Sequence, residues 1–93
     1  MKIVQSRLFE QKVKKLTKSG KAELDAAIRI IIEQPAVGEQ KKGDLKTVYV
    51  YKFRINKTMY LLAYRFSSGI LELIMLGPHE NYYKDLKNYL QNR

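Results

Sequence analysis

The stretch TVYVYKFRINKTMYLLAYRFSSGILELIML, residues 47–76 of a 93-residue chain, decides the fold. Tyr49, Tyr51, Phe53 and Ile55 alternate with Val48, Val50, Lys52 and Arg54, the period of two that puts one set on each face of a strand. Asn56-Lys57-Thr58 reads as a turn, MYLLAYRF as a second strand, Ser67-Ser68-Gly69 as another turn, and ILELIML as a third strand. Strands joined by such short connections form an antiparallel meander. Its middle strand is the most apolar, as expected at the centre of a small sheet covered by helices.

Upstream, KIVQS (residues 2–6) reads as a short edge strand, and Ser6 as the cap of a helix beginning RLFEQKVKKL. Phe9, Val13 and Leu16 form one apolar stripe on that helix. Ser19-Gly20 reads as its break. A second helix through KAELDAAIRIIIEQ carries Leu24, Ala27, Ile28 and Ile31 on one face, and Pro35 stops it. From Pro35 to Lys46 the chain reads as a polar loop. Downstream, Gly77-Pro78 ends the third strand, and ENYYKDLKNYL predicts a helix with Tyr82, Leu86 and Tyr89 or Leu90 as a stripe. The expected fold is α+β and a single domain over residues 1–93. An N-terminal strand and a helical hairpin pack on a curved antiparallel sheet, the meander plus that strand, and a C-terminal helix closes the chain.

Composition narrows the function. The chain has no cysteine and one histidine, so disulfides, a thiolate nucleophile and a Cys-ligated zinc are excluded, and neither metal nor cofactor is expected. No apolar run approaches the roughly 20 residues that span a bilayer, and the N-terminus lacks a long apolar core, so a cytoplasmic location is expected. Eighteen Lys and Arg against nine Asp and Glu give a formal charge of +9. Such an excess favours a polyanion: nucleic acid, an acidic protein or a membrane surface. The membrane is the weakest of these, because no basic helix carries a clean, wide apolar face.

The candidate chemistry is cationic. Lys52 and Arg54, two apart, leave the same face of their strand, and two such charges are not buried cheaply. Lys46 and Lys57 flank them in the neighbouring loop and turn, and Arg65 lies near the end of the adjacent strand, as further candidates to bind a phosphate backbone. His79 follows the Gly-Pro end of a strand, where rigid scaffolds present functional groups, and can act as general acid or base. Tyr82 and Tyr83 point about 100° apart on a helix, so one packs while the other can face outward. No paired carboxylates, glycine-rich phosphate loop or serine-nucleophile signature is present. Lys, Arg, His and Tyr suit metal-free cleavage of RNA by its own 2′-hydroxyl, in which a base and an acid move protons while cations hold the phosphorane.

The segments LFEQKVKKL, IIEQPAVGEQKKGDLKTVYVYKFRINKTMYLLAYRF and LELIMLGPHENYY together resemble the RelE/ParE superfamily of type II toxin–antitoxin toxins over most of the chain. The resemblance implies one of two activities. RelE-like members cut messenger RNA in the ribosomal A site, and ParE-like members poison DNA gyrase. On the RelE-like side, Lys52 and Arg54 match the paired basic positions, His79 the later basic or histidine position, and Tyr82 or Tyr83 the C-terminal tyrosine. The implied partners are the ribosome with its message and an acidic antitoxin that wraps the basic sheet. One departure stands out: the arginine expected after the first tyrosine of YRxxY is Leu61, with Arg65 further along the same strand face. A gyrase inhibitor, or a non-toxic RNA- or protein-binding module on the same fold, are the alternatives.

Overall fold

The computed structural model describes residues 1–41 and 47–92. In chain order it contains β1 (Lys2–Gln5), α1 (Arg7–Lys14), α2 (Lys18–Glu33), a 3-10 turn (Pro35–Val37), β2 (Glu39–Gln40), β3 (Tyr49–Ile55), β4 (Thr58–Ser67), β5 (Ile70–Pro78) and α3 (Tyr82–Gln91). The strands form one sheet in the order β1-β5-β4-β3-β2, so the apolar β4 is central as its composition demands. The fold is α+β, with the expected meander and C-terminal helix.

Three details differ from the sequence reading. First, β1 joins β5 in parallel, Lys2 opposite Ile70 and Gln5 opposite Leu73, so the sheet is mixed rather than wholly antiparallel. Second, the hairpin turns earlier than Ser19-Gly20. The Thr17 hydroxyl accepts the Gly20 N–H at 3.1 Å and caps α2, and Gly20 lies buried in its first turn. A Cβ there would sit 3.3 Å from Ile55, so the glycine serves close packing of helix on sheet. Third, the region after Pro35 is not all loop: Glu39 and Gln40 pair with Val50 and Tyr49 as a fifth strand.

The central strand itself anchors that fifth strand. Tyr64 is fully buried; its hydroxyl donates to the Pro35 carbonyl at 2.6 Å and accepts the Gly38 N–H at 2.9 Å. A Cβ on Gly38 would fall 2.7 Å from that hydroxyl, so only glycine lets the chain pass so close.

Helices cover both faces. Against α1 and α2 pack Leu62 and Tyr64 of β4 and Leu71, Leu73 and Leu76 of β5, meeting Phe9, Leu24 and Ile31. Against α3 pack Val48, Val50, Leu61, Ala63, Ile74 and Met75, meeting Tyr82 and Leu86. A bulge makes this second set possible. Ala63 opposes Met75 and Tyr64 opposes Leu73, so Ile74 is an extra residue, and two neighbours face the same helix. Ser6 ties the bulge to α1: its hydroxyl donates to the Ile74 carbonyl and accepts the Phe9 N–H at 3.0 Å.

Candidate functional site

The α3 face has a dry half beneath the helix and a wet half beyond it. The registers order the wet half in rows. Lys52 opposes Leu61, which opposes Gly77; Arg54 opposes Met59. The His79 N–H donates to the Met59 carbonyl at 3.1 Å, which extends the ladder one position past Pro78. Arg54, Met59 and His79 therefore form a row across the end of the sheet. With strands about 4.8 Å apart, the Arg54 and His79 backbones stand about 10 Å apart, a gap two side chains can close around one phosphate. Lys52, Arg54 and His79 are all exposed.

The two tyrosines take opposite roles. Tyr82 is 1% exposed and its hydroxyl donates to the Met75 carbonyl at 2.6 Å; burial pushes its phenol far above the ordinary tyrosine range. It anchors α3 and offers no group to a ligand. Tyr83 is half-buried, packed edge-on against Tyr82 and against the His79 ring, with the His79 centroid 6.2 Å away at 86°. The left-handed Asn81 (φ 58°) starts the helix and sets which of the two turns inward.

Two charged residues that the sequence reading left in a loop complete the cluster. Lys41 lies just past β2, with its Nζ 4.5 Å from the centre of the Tyr83 ring and 2.8 Å from Glu39 Oε1. Burial alone would lower the Lys41 ammonium, but its bonds to Glu39 and Tyr83 outweigh this and raise it above the ordinary lysine value. The same bond, with the charges of Lys41 and Lys52, holds the Glu39 carboxyl below the usual range. The available signal was the i, i+2 pair Glu39/Lys41, which a strand places on one face.

The remaining candidates scatter. Lys57 sits exposed in the β3–β4 turn, where its carbonyl accepts Arg54 Nη1 at 3.5 Å, at the edge of the site. Arg65 shares the face but stands at the far end of β4, opposite Glu72, with Nε 3.7 Å from the carboxylate. It does not substitute for a cation at Leu61. Lys46 lies outside the described residues. Leu61 is fully buried in the cluster with Tyr82 and Leu86, so the position where the resemblance expects an arginine is here part of the floor beneath α3. Among the described residues no group of His, Cys, Asp or Glu could hold a metal ion, and no helix is long and apolar enough to cross a membrane. The cluster offers cations to a phosphate from β3, and an imidazole beside a phenol from the opposite side.

The family model of ParE-like toxins of type II bacterial toxin–antitoxin systems matches residues 3–87. No curated protein matches the sequence. Solved structures do share the fold. A mutant of the E. coli toxin RelE in the free state superposes with a TM-score of 0.72 at 16% identity, over 94% of this chain and 90% of that one. A chain of the intact E. coli RelBE toxin–antitoxin complex gives 0.71 at 18% identity, over 85% and 96%. The YoeB/ParE toxin from Agrobacterium tumefaciens gives 0.69 at 23% identity, over 85% and 99%.

Proposed function

This chain belongs to the ParE-like toxins of type II bacterial toxin–antitoxin systems, within the RelE/ParE superfamily, and from that premise we propose that it is a metal-independent endoribonuclease acting on messenger RNA at the ribosome. The observation that carries this reading is the row Arg54–Met59–His79, with Lys52 two rows away on the same face and Tyr83 against the imidazole. A gyrase poison that works by protein contact has no need of an imidazole aligned with two cations.

In the proposed reaction the RNA 2′-oxygen attacks the adjacent phosphorus and loses its proton to a base. The bond to the 5′-oxygen breaks, and that oxygen takes a proton from an acid, leaving a 2′,3′-cyclic phosphate. His79 is the proton-transfer group, held by its backbone bond to Met59 and by the Tyr83 ring. Lys52 and Arg54 bind the phosphate and offset the charge that grows on it. Lys57 meets the backbone at the rim, and Lys41 steadies Tyr83. Translation stops as messages are cut in the cytoplasm. An acidic antitoxin neutralises the protein by covering the same cationic face, in keeping with the antitoxin-bound RelE among the similar structures.

The test is primer extension on cellular messages after induction. The wild-type chain should give cuts at ribosome-positioned codons, and Lys52→Ala/His79→Ala should give none and relieve growth arrest; a double variant that stays toxic and still cuts defeats the assignment. Loss of a proton-transfer group alone should slow cleavage about 10²–10⁴-fold. One observation favours a second reading, gyrase inhibition: Leu61 supplies no guanidinium to a transition state. Inhibition of supercoiling by purified gyrase, with messages intact, would select it.

A further inference from the structure

On the opposite face of the same sheet end lie two contiguous cavities, about 180 Å³ and 160 Å³, which share Lys15, Leu16 and Tyr60. We propose that this cleft, between the end of α1 and the β3–β4 turn, binds the phosphodiester backbone of single-stranded RNA as it continues around the sheet from the Lys52–Arg54–His79 site. The proposal rests on the RNA reading above.

Position is the first argument. Tyr60 opposes Pro78, and both line the cleft; the next row along is Met59 with His79, on the other face. One step along the strands thus separates the cleft from the imidazole, and only the end of the sheet stands between them. The exposed Lys57 occupies that end, bonded through its carbonyl to Arg54. A chain passing from Arg54 over Lys57 to Lys15 meets a cation at each stage.

Chemistry is the second. Lys12 is half-buried and Lys15 exposed, and neither has a carboxylate within 4 Å among the described residues. Two cations held one helical turn apart beside a cavity, without an acid partner, leave their charge available to an anion. Tyr60 presents a half-buried ring 6.3 Å from Phe53, a surface on which a base can stack, and Asn56 and Thr58 add polar wall.

Size and surface argue for a single strand rather than a protein segment or duplex. Each cavity is smaller than the roughly 300 Å³ at which drug-sized pockets begin, and suits one phosphate or one base. A helix of a protein partner needs a long apolar groove; an apolar groove lies elsewhere, between β1, α1 and α2, lined by Ile3, Phe9 and Leu24.

The test compares uncleavable 2′-O-methyl RNA of three and nine nucleotides on the full chain. Wild-type protein should bind the nonamer more tightly than the trimer. Lys12→Ala/Lys15→Ala should lose about tenfold on the nonamer and nothing on the trimer, with the slope of log affinity against log salt reduced by about 1.4 for two lost phosphate contacts. Equal losses on both lengths, an unchanged nonamer, or a loss confined to a hairpin duplex or an acidic peptide overturns the cleft. The two readings fail separately. If Lys52→Ala/His79→Ala remains toxic while Lys12→Ala/Lys15→Ala still weakens the nonamer, catalysis at His79 falls and the cleft stands. If the lysine pair changes nothing while Lys52→Ala/His79→Ala abolishes cutting, the cleft falls alone. A wild-type chain that binds neither RNA removes both.

Discussion

The two faces of this sheet are built from the same strands by the same alternation, yet one is covered by two helices over most of its length and the other is half-open. The face under α1 and α2 meets two helices and buries an unbroken set of large side chains, Leu62, Tyr64, Leu71, Leu73 and Leu76. The other face meets one ten-residue helix, which covers Leu61, Ala63 and Met75 and leaves Lys52 and Arg54 beyond its reach. The difference is one of cover. Where a helix ends, the same strand period that supplies core residues supplies cations to water, and those cations become available to a ligand.

The sharpest way to break that comparison is to cut equally into each face. Leu62→Ala, in the covered face, should cost about 2–5 kcal/mol of stability, because the dense surroundings leave a cavity. Lys52→Ala, in the open half, should change stability by less than about 0.5 kcal/mol while weakening RNA binding. Urea denaturation of both variants measures the contrast; comparable losses would mean that the open half is part of the core.

Leu61 tests the boundary between the two halves of the α3 face. Leu61→Arg puts a guanidinium under Tyr82 and Leu86 with no acid partner there. Lifting α3 away relieves the charge without loss of the hairpin face, so the expected cost is about 2–3 kcal/mol, concentrated in α3. Limited proteolysis should then clip the C-terminal helix first. A variant with α3 fully protected would show that the floor tolerates the arginine, and cleavage by that variant would then be worth measuring.

How far the sequence alone reached follows the same division between local and long-range information. The meander was legible because period-two patterning and the Ser68-Gly69 turn, both at positive φ, are local signals. The parallel seat of β1 was not, since its partner lies about 70 residues away and no local pattern names it. Gly20 misled because a glycine that permits close packing against Ile55 looks like one that breaks a helix. In the site, Lys52, Arg54 and His79 stood out as residue types, but their row depends on the register past Pro78. The choice between Tyr82 and Tyr83 turned on the backbone at Asn81, and Lys41 was hidden in a segment that reads as a polar loop.

Those neighbouring tyrosines provide the next contrast. Tyr82→Phe leaves the buried Met75 carbonyl without its donor and should cost about 1–3 kcal/mol. Tyr83→Phe should stay within about 0.5 kcal/mol, and its effect should appear in cleavage instead. The pH dependence has a definite sign. The Tyr82 phenol is raised in the folded state, so its contribution is whole below the ordinary tyrosine value of about 10 and is lost as pH rises beyond it. Alkaline melting curves should therefore converge for wild type and Tyr82→Phe.

The smallest effect is expected at the edge, where β2 brings Glu39 and Lys41 to Tyr83. Glu39→Gln should leave the melting temperature unchanged, since the Glu39 carboxylate is largely solvated. It also removes a negative charge beside Lys41 and Lys52, so RNA affinity at neutral pH should rise about two- to threefold. In the wild type the Glu39 carboxyl is held low by Lys41, and the ion pair persists until pH falls through that lowered value; only then should the affinity gained by the variant appear. Glu39→Gln should lack that acid step. An identical step in both proteins would place the titration on another carboxylate and leave the Glu39–Lys41 pair a feature of the rim, outside the reach of the bound phosphate.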